Sequence, residues 1–198
     1  MNSNAANKSK EDVKCLSSLR DMDLKAQDDL RDVTHLQVGR LKLNIEPCDL
    51  VALTRRVVRR LQITTKKHRL QVHTRLHYLI VLVDALRMEQ VLINLLKNVI
   101  KYSPDGGRID LEITEGHESV QVRVAVLLIK DYGIGMPDEQ PYQVFGCASR
   151  AENALTFKGS SPGFYVSRSL IEQQAGYIWF DAVEQQGTTL YITLPAYA

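Results

Sequence analysis

Long hydrophobic runs are missing from this chain. Its longest apolar stretches, such as Val124 to Ile129, are the length of a strand and far short of a membrane span. No membrane contact by these residues is expected. The N-terminus, MNSNAANKSKEDVK, is polar and has no apolar core of the kind a secretory signal needs. Cysteine is scarce: Cys15, Cys48 and Cys147 lie far apart with no C-x-x-C pair, which argues against a disulfide framework or a zinc site and suits a reducing, cytoplasmic setting. An excess of one charge is also missing. Twenty-five Lys and Arg against 23 Asp and Glu leave a net charge of +2, interspersed, so the balance points to no nucleic-acid groove and no membrane-surface patch. There is no internal repeat. With 44% hydrophobic and 24% charged residues over 198 positions, the composition is that of one globular domain with an appendage.

The chain divides by pattern. Residues 1–12 read as a disordered leader. From about Glu11 to Arg40 the sequence is helix-permissive, with Leu16, Leu19, Leu30, Val33 and Leu36 on loosely helical spacing. Gly39 suits a helix end, and Leu41 to Ile45 alternates like a short strand before Pro47. Asp49 is placed to cap a helix running to about Leu61, with Leu50, Val51, Leu53, Val57, Val58 and Leu61 inward and Arg55, Arg56, Arg59 and Arg60 facing water. Strands are predicted at Arg69 to Thr74 and Leu79 to Val83. The strongest helix is Met88 to Tyr102, ended by the turn Ser103-Pro104-Asp105-Gly106-Gly107. Strands at Ile109 to Thr114 and Val120 to Lys130 follow, separated by Glu115 to Glu118. A loop from Asp131 to Ser161, a helix from Pro162 to about Gln174, and strands at Tyr177 to Ala182 and Thr188 to Leu194 complete the order. Helices and strands mixed in this way predict an α/β sandwich, a mixed sheet covered by helices on one face.

Three segments carry candidate chemistry. In the Met88 to Tyr102 helix, Asn94, Asn98 and Lys101 fall at i, i+4 and i+7 beside the apolar face of Leu92, Leu95, Leu96 and Val99. Asn is a poor helix former because its side chain competes for backbone hydrogen bonds. Amide oxygens suit a hard cation such as Mg²⁺ that shares substrate phosphates, and Lys101 suits phosphate as a point charge. The second segment is Asp131-Tyr132-Gly133-Ile134-Gly135-Met136, directly after an apolar strand. Its alternate glycines let the backbone approach a ligand, and an Asp at a strand end can accept from an exocyclic amine. The third is Gly159-Ser160-Ser161-Pro162-Gly163-Phe164-Tyr165 at a helix start, where free N–H groups and the dipole favour phosphate.

Each segment alone is a weak signal, but in this order and spacing they resemble the catalytic domain of sensor histidine kinases. Met88 to Ser103 resembles that family's N box, V-L-x-N-L-L-x-N-A-x-K-Y-S, with Val99 for its usual Ala. Asp131 to Met136 resembles its first glycine box, and Val144-Phe145 with Arg150 its F box. Gly159 to Glu172 resembles the second glycine box, and Gly187 to Pro195 the family's closing strand. The resemblance implies ATP and Mg²⁺ as ligands. Asn98, with Asn94 beside it, would hold Mg²⁺ on the phosphates; Lys101 would contact phosphate and Tyr102 lie against the nucleotide. Asp131 would accept from the adenine amine, with Gly133 and Gly135 shaping the pocket floor. Arg150 and the segment Gly159 to Gly163 would belong to a lid. It also implies a domain division: a partial dimerisation helix and linker over residues 13–46 and a catalytic domain over 47–198. The implied partners are a phosphoacceptor hairpin, a response regulator and a second copy in a homodimer.

Three departures from the family pattern stand out. The family's G-x-G-L-G-L reads G-S-S-P-G-F, so Ser161 replaces a glycine and Pro162 removes a backbone N–H. The F box reads F-G-C-A-S-R. No histidine stands where an acceptor is expected: only His35 falls on the N-terminal helical segment, near its end, and His68, His73, His77 and His117 read as surface or edge residues in strand or loop contexts. Asn94 occupies the position where gyrase-type and MutL-type relatives carry a catalytic Glu, and an amide is no general base, which favours phosphotransfer over hydrolysis. Two readings remain open at this point: an ATP-dependent kinase domain, and a degenerate domain that keeps the fold as a nucleotide-binding or protein-interaction module.

Overall fold

A computed structural model of the chain describes residues 42–119, 122–133, 162–183 and 187–197, all within one unit, Lys42–Ala198. The expectations for residues 1–41, the F box, Arg150, Gly135, Gly159 and Ser161 fall outside the described residues.

The element order is β1 (Glu46–Asp49), α1 (Leu50–Gln62), β2 (His68–His73), β3 (Ile80–Val83), α2 (Ala85–Tyr102), β4 (Gly107–Ser119), β5 (Val122–Asp131), α3 (Pro162–Glu172), β6 (Tyr177–Val183) and β7 (Gly187–Pro195). Five strands form one sheet in the order β2-β4-β5-β7-β6. β2 runs parallel to β4 and every other neighbour is antiparallel. Strand alternation puts Ile109, Leu111 and Ile113 of β4, Ala125, Leu127 and Ile129 of β5, and Leu190, Ile192 and Leu194 of β7 on one buried face. Against that face lie the apolar stripes of the helices: Leu50, Leu53, Val57 and Leu61 of α1, Met88, Val91, Leu92 and Leu95 of α2, and Phe164, Val166, Leu170 and Ile171 of α3. The result is the mixed sheet with helices on one face that the sequence predicts.

Two aspartates start the helices. Asp49 accepts from Val51 N at 3.0 Å and from Leu79 N at 3.2 Å, so one carboxylate caps α1 and fastens the approach to β3. Asp84 accepts from Leu86 N and Arg87 N, both at 3.1 Å, and starts α2 three residues before the predicted Met88. Its own N–H donates to Gln174 Oε1 at 2.7 Å, which ties the head of α2 to the turn after α3.

Three local expectations are corrected. Residues 42–45 carry no regular structure; the strand is Glu46–Asp49 and includes Pro47, which β1 tolerates because it has one neighbour, β3. The polar stretch Glu115 to Glu118 is strand rather than loop: Glu115, Gly116 and His117 pair with Ala125, Val124 and Arg123, and Glu115 forms an ion pair with Arg123. His68 is buried, 6% exposed, rather than a surface or edge residue. The arginine face of α1 behaves as predicted, exposed, with Arg56 and Arg60 held at 2.9 and 2.7 Å by Glu89 of α2.

Thr54 is fully buried in α1, and its Oγ1 has no hydrogen-bond partner. A buried unpaired hydroxyl costs free energy that an isosteric methyl does not. Thr54→Val is therefore expected to stabilise the domain by about 1 kcal/mol, raising the melting temperature by roughly 2–4 °C in a thermal scan.

Candidate nucleotide site

The site is built along one helix and at the end of one strand. β5 delivers Asp131 on its inward face, 6% exposed, at the point where the strand leaves the core. Its Oδ1 accepts from Gly133 N at 2.8 Å, and the backbone N–H of Thr188, from β7, also donates to the carboxylate. Burial pushes the Asp131 carboxyl above the usual carboxylate range, opposed by hydrogen bonds from the backbone N–H groups of Gly133, Thr188 and Asp131 itself. A carboxylate offers about four lone-pair positions, so these donors leave it able to accept one more hydrogen bond.

Gly133 stands where a side chain has no room. A Cβ there would fall 2.6 Å from Ser103 Oγ and 3.0 Å from Asp131 Oδ1. Ser103, buried at the C-terminal end of α2, is therefore the opposing wall of the Asp131 corner. On the outer side of the same turn, Tyr132 donates its hydroxyl to Asp110 Oδ2 at 3.0 Å and accepts from Arg108 at 2.8 Å. Its ring lies 4.8 Å from the Arg108 guanidinium and 5.1 Å from the Lys130 ammonium. The chain just after Asp131 is thus held from both faces of the sheet.

α2 carries the remaining residues. Asn94 and Asn98 are buried one turn apart, and Lys101 is exposed on the last turn. Asn94 Nδ2 donates to Gly163 O at 2.5 Å and to Ser167 Oγ at 3.1 Å, while Ser167 Oγ donates to Gly163 O at 2.7 Å. A Cβ on Gly163 would lie 2.3 Å from Asn94 Nδ2, so the missing side chain is what lets the first turn of α3 close on α2. The structure thus brings Asn94 together with Gly163, and Asp131 together with Gly133 and Ser103. Tyr102 ends α2; its side chain, like Gly135, Arg150 and Gly159, lies outside what is described.

Asn98 stands apart from Asn94. Its amide is 6% exposed and Nδ2 has no hydrogen-bond partner. An amide with one end orphaned in a buried setting fits a group that arrives later, and rotation about the last torsion exchanges the nitrogen for the oxygen a hard cation prefers. Among the described residues no group of three or more His, Cys, Asp and Glu is placed to hold a metal ion. Mg²⁺ at Asn98 would have to be shared with phosphate oxygens, which is its usual manner of binding.

Sequence reasoning passed over the roles of three residues here. Ser103 and Thr188 act through position and backbone, and Ser167 acts across 73 residues of sequence. Each lies inside a segment singled out for its family likeness, and that was the available signal.

Residues 83–198, more than half of the chain, match the family described as "Histidine kinase-, DNA gyrase B-, and HSP90-like ATPase". The chain belongs to this family. Within it the domain is of the histidine kinase ATP-binding catalytic type. It is 35% identical over 115 residues to the sensor histidine kinase WalK of Bacillus subtilis, covering 57% of this chain and 18% of WalK. It is 33% identical over 162 residues to the adaptive-response sensory kinase SasA of Thermosynechococcus vestitus, covering 80% of this chain and 41% of SasA. The chain thus spans less than half the length of these relatives. The fold matches that of the mycobacterial sensor histidine kinase MprB with a TM-score of 0.62 at 24% identity, over 77% of this chain and 97% of that one. Among the described residues no helix is long and apolar enough to cross a membrane.

Proposed function

We propose that the domain binds Mg²⁺-ATP with adenine at Asp131 and the triphosphate along α2 toward Asn98, and that it transfers the γ-phosphate to a histidine on a separate helical hairpin. The observation that carries this reading is the Asp131 carboxylate. It is buried, held by the backbone N–H groups of Gly133 and Thr188, and still able to accept. A buried acceptor rigidly aimed by the backbone suits an exocyclic amine, and its strand-end position sets it beside the Ser103 hydroxyl and the side-chain-free Gly133.

The chain's own groups would share the work as follows. Asp131 fixes the base. Asn98 and Lys101 sit up to two turns before Ser103 on the same helix, so phosphates running from the base toward the middle of α2 meet them in turn. The bound Mg²⁺ supplies charge neutralisation at the phosphates. Phosphoryl transfer then relies on positioning and electrostatics, with no general base required from Asn94, whose amide is engaged with α3. Gly135 would share the pocket floor with Gly133, and Arg150 and the segment Gly159 to Gly163 would contribute the cover.

The hairpin, a response regulator that receives the phosphate, a homodimer formed through such hairpins and a cytoplasmic location belong to this reading, as does a division into an N-terminal helix with linker up to residue 46 and a catalytic domain from 47. Lid substitutions leave a degenerate module as the alternative. The buried Asp131 and the orphaned Asn98 amide favour a nucleotide site over a bare scaffold.

Calorimetric titration of Mg²⁺-ATP into the chain, followed by labelled phosphate transfer to a supplied hairpin, tests the proposal. Asn98→Ala is expected to weaken Mg²⁺-ATP binding by about tenfold, the worth of one lost charge-assisted contact, without lowering the melting temperature. Equal affinity of this variant and the parent chain would remove Asn98 from the phosphate end.

A further inference from the structure

The buried histidine, His68, lies far from Asp131 in sequence yet acts on the same wall. It opens β2 at the sheet edge, and both of its ring nitrogens are engaged: Nδ1 with Thr65 Oγ1 at 2.8 Å and Nε2 with the Ser103 carbonyl at 2.8 Å. A carbonyl only accepts, so Nε2 carries a proton and donates it to Ser103 O, while Nδ1 shares its hydrogen bond with the Thr65 hydroxyl. The preceding residue works on the same turn. Lys67 O accepts from Gly107 N at 3.0 Å, and Ser103 O accepts a second time from Gly106 N at 2.9 Å. The turn after α2 is therefore clamped by the start of β2, and His68 is the side chain that reaches the residue facing Gly133.

Beside the His68 bond, the Ser103 carbonyl is held by the i→i+3 turn bond from Gly106 N. Ser103 leaves the helix with φ −119° and ψ 62°, a conformation outside the helical well that its neighbours must hold. Its Oγ lies 2.6 Å from where a Gly133 Cβ would be, so a shift of Ser103 by a fraction of an ångström alters the space in front of Asp131.

We infer that His68 is a positioning residue of the nucleotide site: its Nε2–H fixes the Ser103 carbonyl, and through it the wall against Gly133 and Asp131. The inference rests on the nucleotide reading proposed above for that corner. His68 touches no nucleotide atom in this scheme and takes no part in the transfer.

The test compares His68→Leu, which keeps the bulk and loses the donor, with His68→Gln, whose Nε2 can donate to the same carbonyl. Two quantities are read on the full chain: Mg²⁺-ATP affinity, corrected for the folded fraction, and the backbone amide resonances of Ser103 and Gly133 without nucleotide. His68→Leu is expected to weaken Mg²⁺-ATP about tenfold, one buried hydrogen bond's worth, and to shift both amides; His68→Gln is expected to restore most of the affinity and the amide positions. Parental affinity and amide positions in His68→Leu would overturn the inference and leave His68 a purely structural residue. So would a His68→Gln variant that behaves like His68→Leu. If the parent chain binds no Mg²⁺-ATP, the functional reading fails by itself. The amide comparison then still decides whether His68 sets the Ser103–Gly133 wall.

Discussion

Asp131→Asn is expected to weaken Mg²⁺-ATP binding by roughly 100-fold while leaving the domain folded and no less stable at neutral pH, because it turns an acceptor into a donor where adenine presents a donor. The fixed N–H groups of Gly133 and Thr188 dictate the orientation. An amide at this position must turn its oxygen toward them, which aims its NH₂ at the purine. Adenine's amine then meets a donor, and one partner is left unsatisfied in a buried site. The same inversion should favour a purine with a carbonyl at that carbon, so the loss for GTP should be smaller than for ATP, or reversed. Parallel titrations with both nucleotides check this, and an equal loss for the two would place the base elsewhere.

Burial raises the folded-state pKa of Asp131 above its unfolded value. A group of that kind contributes its stability below the unfolded pKa and loses it as pH rises through the folded value, because the buried charge must then form. Wherever the carboxylate is ionised, the fold carries that cost. The amide has no charge to bury. The melting temperature of Asp131→Asn relative to the parent should therefore improve as pH is raised from the acid side of the carboxylate range to neutrality. A relative loss over that interval would mean that the backbone donors outweigh desolvation.

The parts of the fold that were legible were those where burial imposes a period. α2 and β5 declare themselves through Leu92, Leu95 and Leu96 and through the run ending at Ile129, because each has a fully buried side. The signal faded where cover stops. On β4 the inward residues Ile109, Leu111 and Ile113 are buried, but Glu115 and His117 on the same side are exposed. Thr114, Glu115 and His117 put exposed polar side chains on both faces there, so the alternation that marks a strand disappears, although the pairing with β5 continues. Asp84 was passed over because the apolar strand before it hid the cap, and only its bonds to Leu86, Arg87 and Gln174 make it one.

The site divides in the same way. Asp131, Gly133, Asn94 and Asn98 stand out in the sequence because their types are unusual for their elements: an acid ending an apolar strand, glycine in alternation, amides inside a helix. What each one touches was not readable. Asn94 and Asn98 look alike in sequence, one turn apart, yet Asn94 is tied to Gly163 and Ser167 while the Asn98 nitrogen has no partner. That difference comes from where α3 lands. His68 carried no sequence signal at all, since its partner Ser103 is 35 residues away.

Gly187→Ala is expected to destabilise the domain by about 2–4 kcal/mol, lowering the melting temperature by roughly 5–12 °C, and to weaken Mg²⁺-ATP binding in the fraction that remains folded. Two costs coincide at this position. Gly187 has φ +89°, a left-handed conformation that a Cβ makes unfavourable. That Cβ would also lie 2.2 Å from the backbone oxygen of Asp131 and 3.0 Å from Tyr132 Cα, and neither is the movable end of a flexible side chain. Relief therefore requires β7 to draw back from the end of β5. The next residue in β7 is Thr188, whose N–H holds the Asp131 carboxylate, so the retreat that relieves the clash also loosens the group proposed to read adenine. Gly107 makes the natural control: its φ is +118° and an added Cβ would meet nothing within 4 Å. Gly107→Ala should carry the conformational cost without a clash at Asp131, about 1 kcal/mol. Denaturant melts and Mg²⁺-ATP titrations of the two variants side by side separate strain from contact. If both lose the same stability and neither loses affinity, the approach of β7 to Asp131 plays no part in shaping the site.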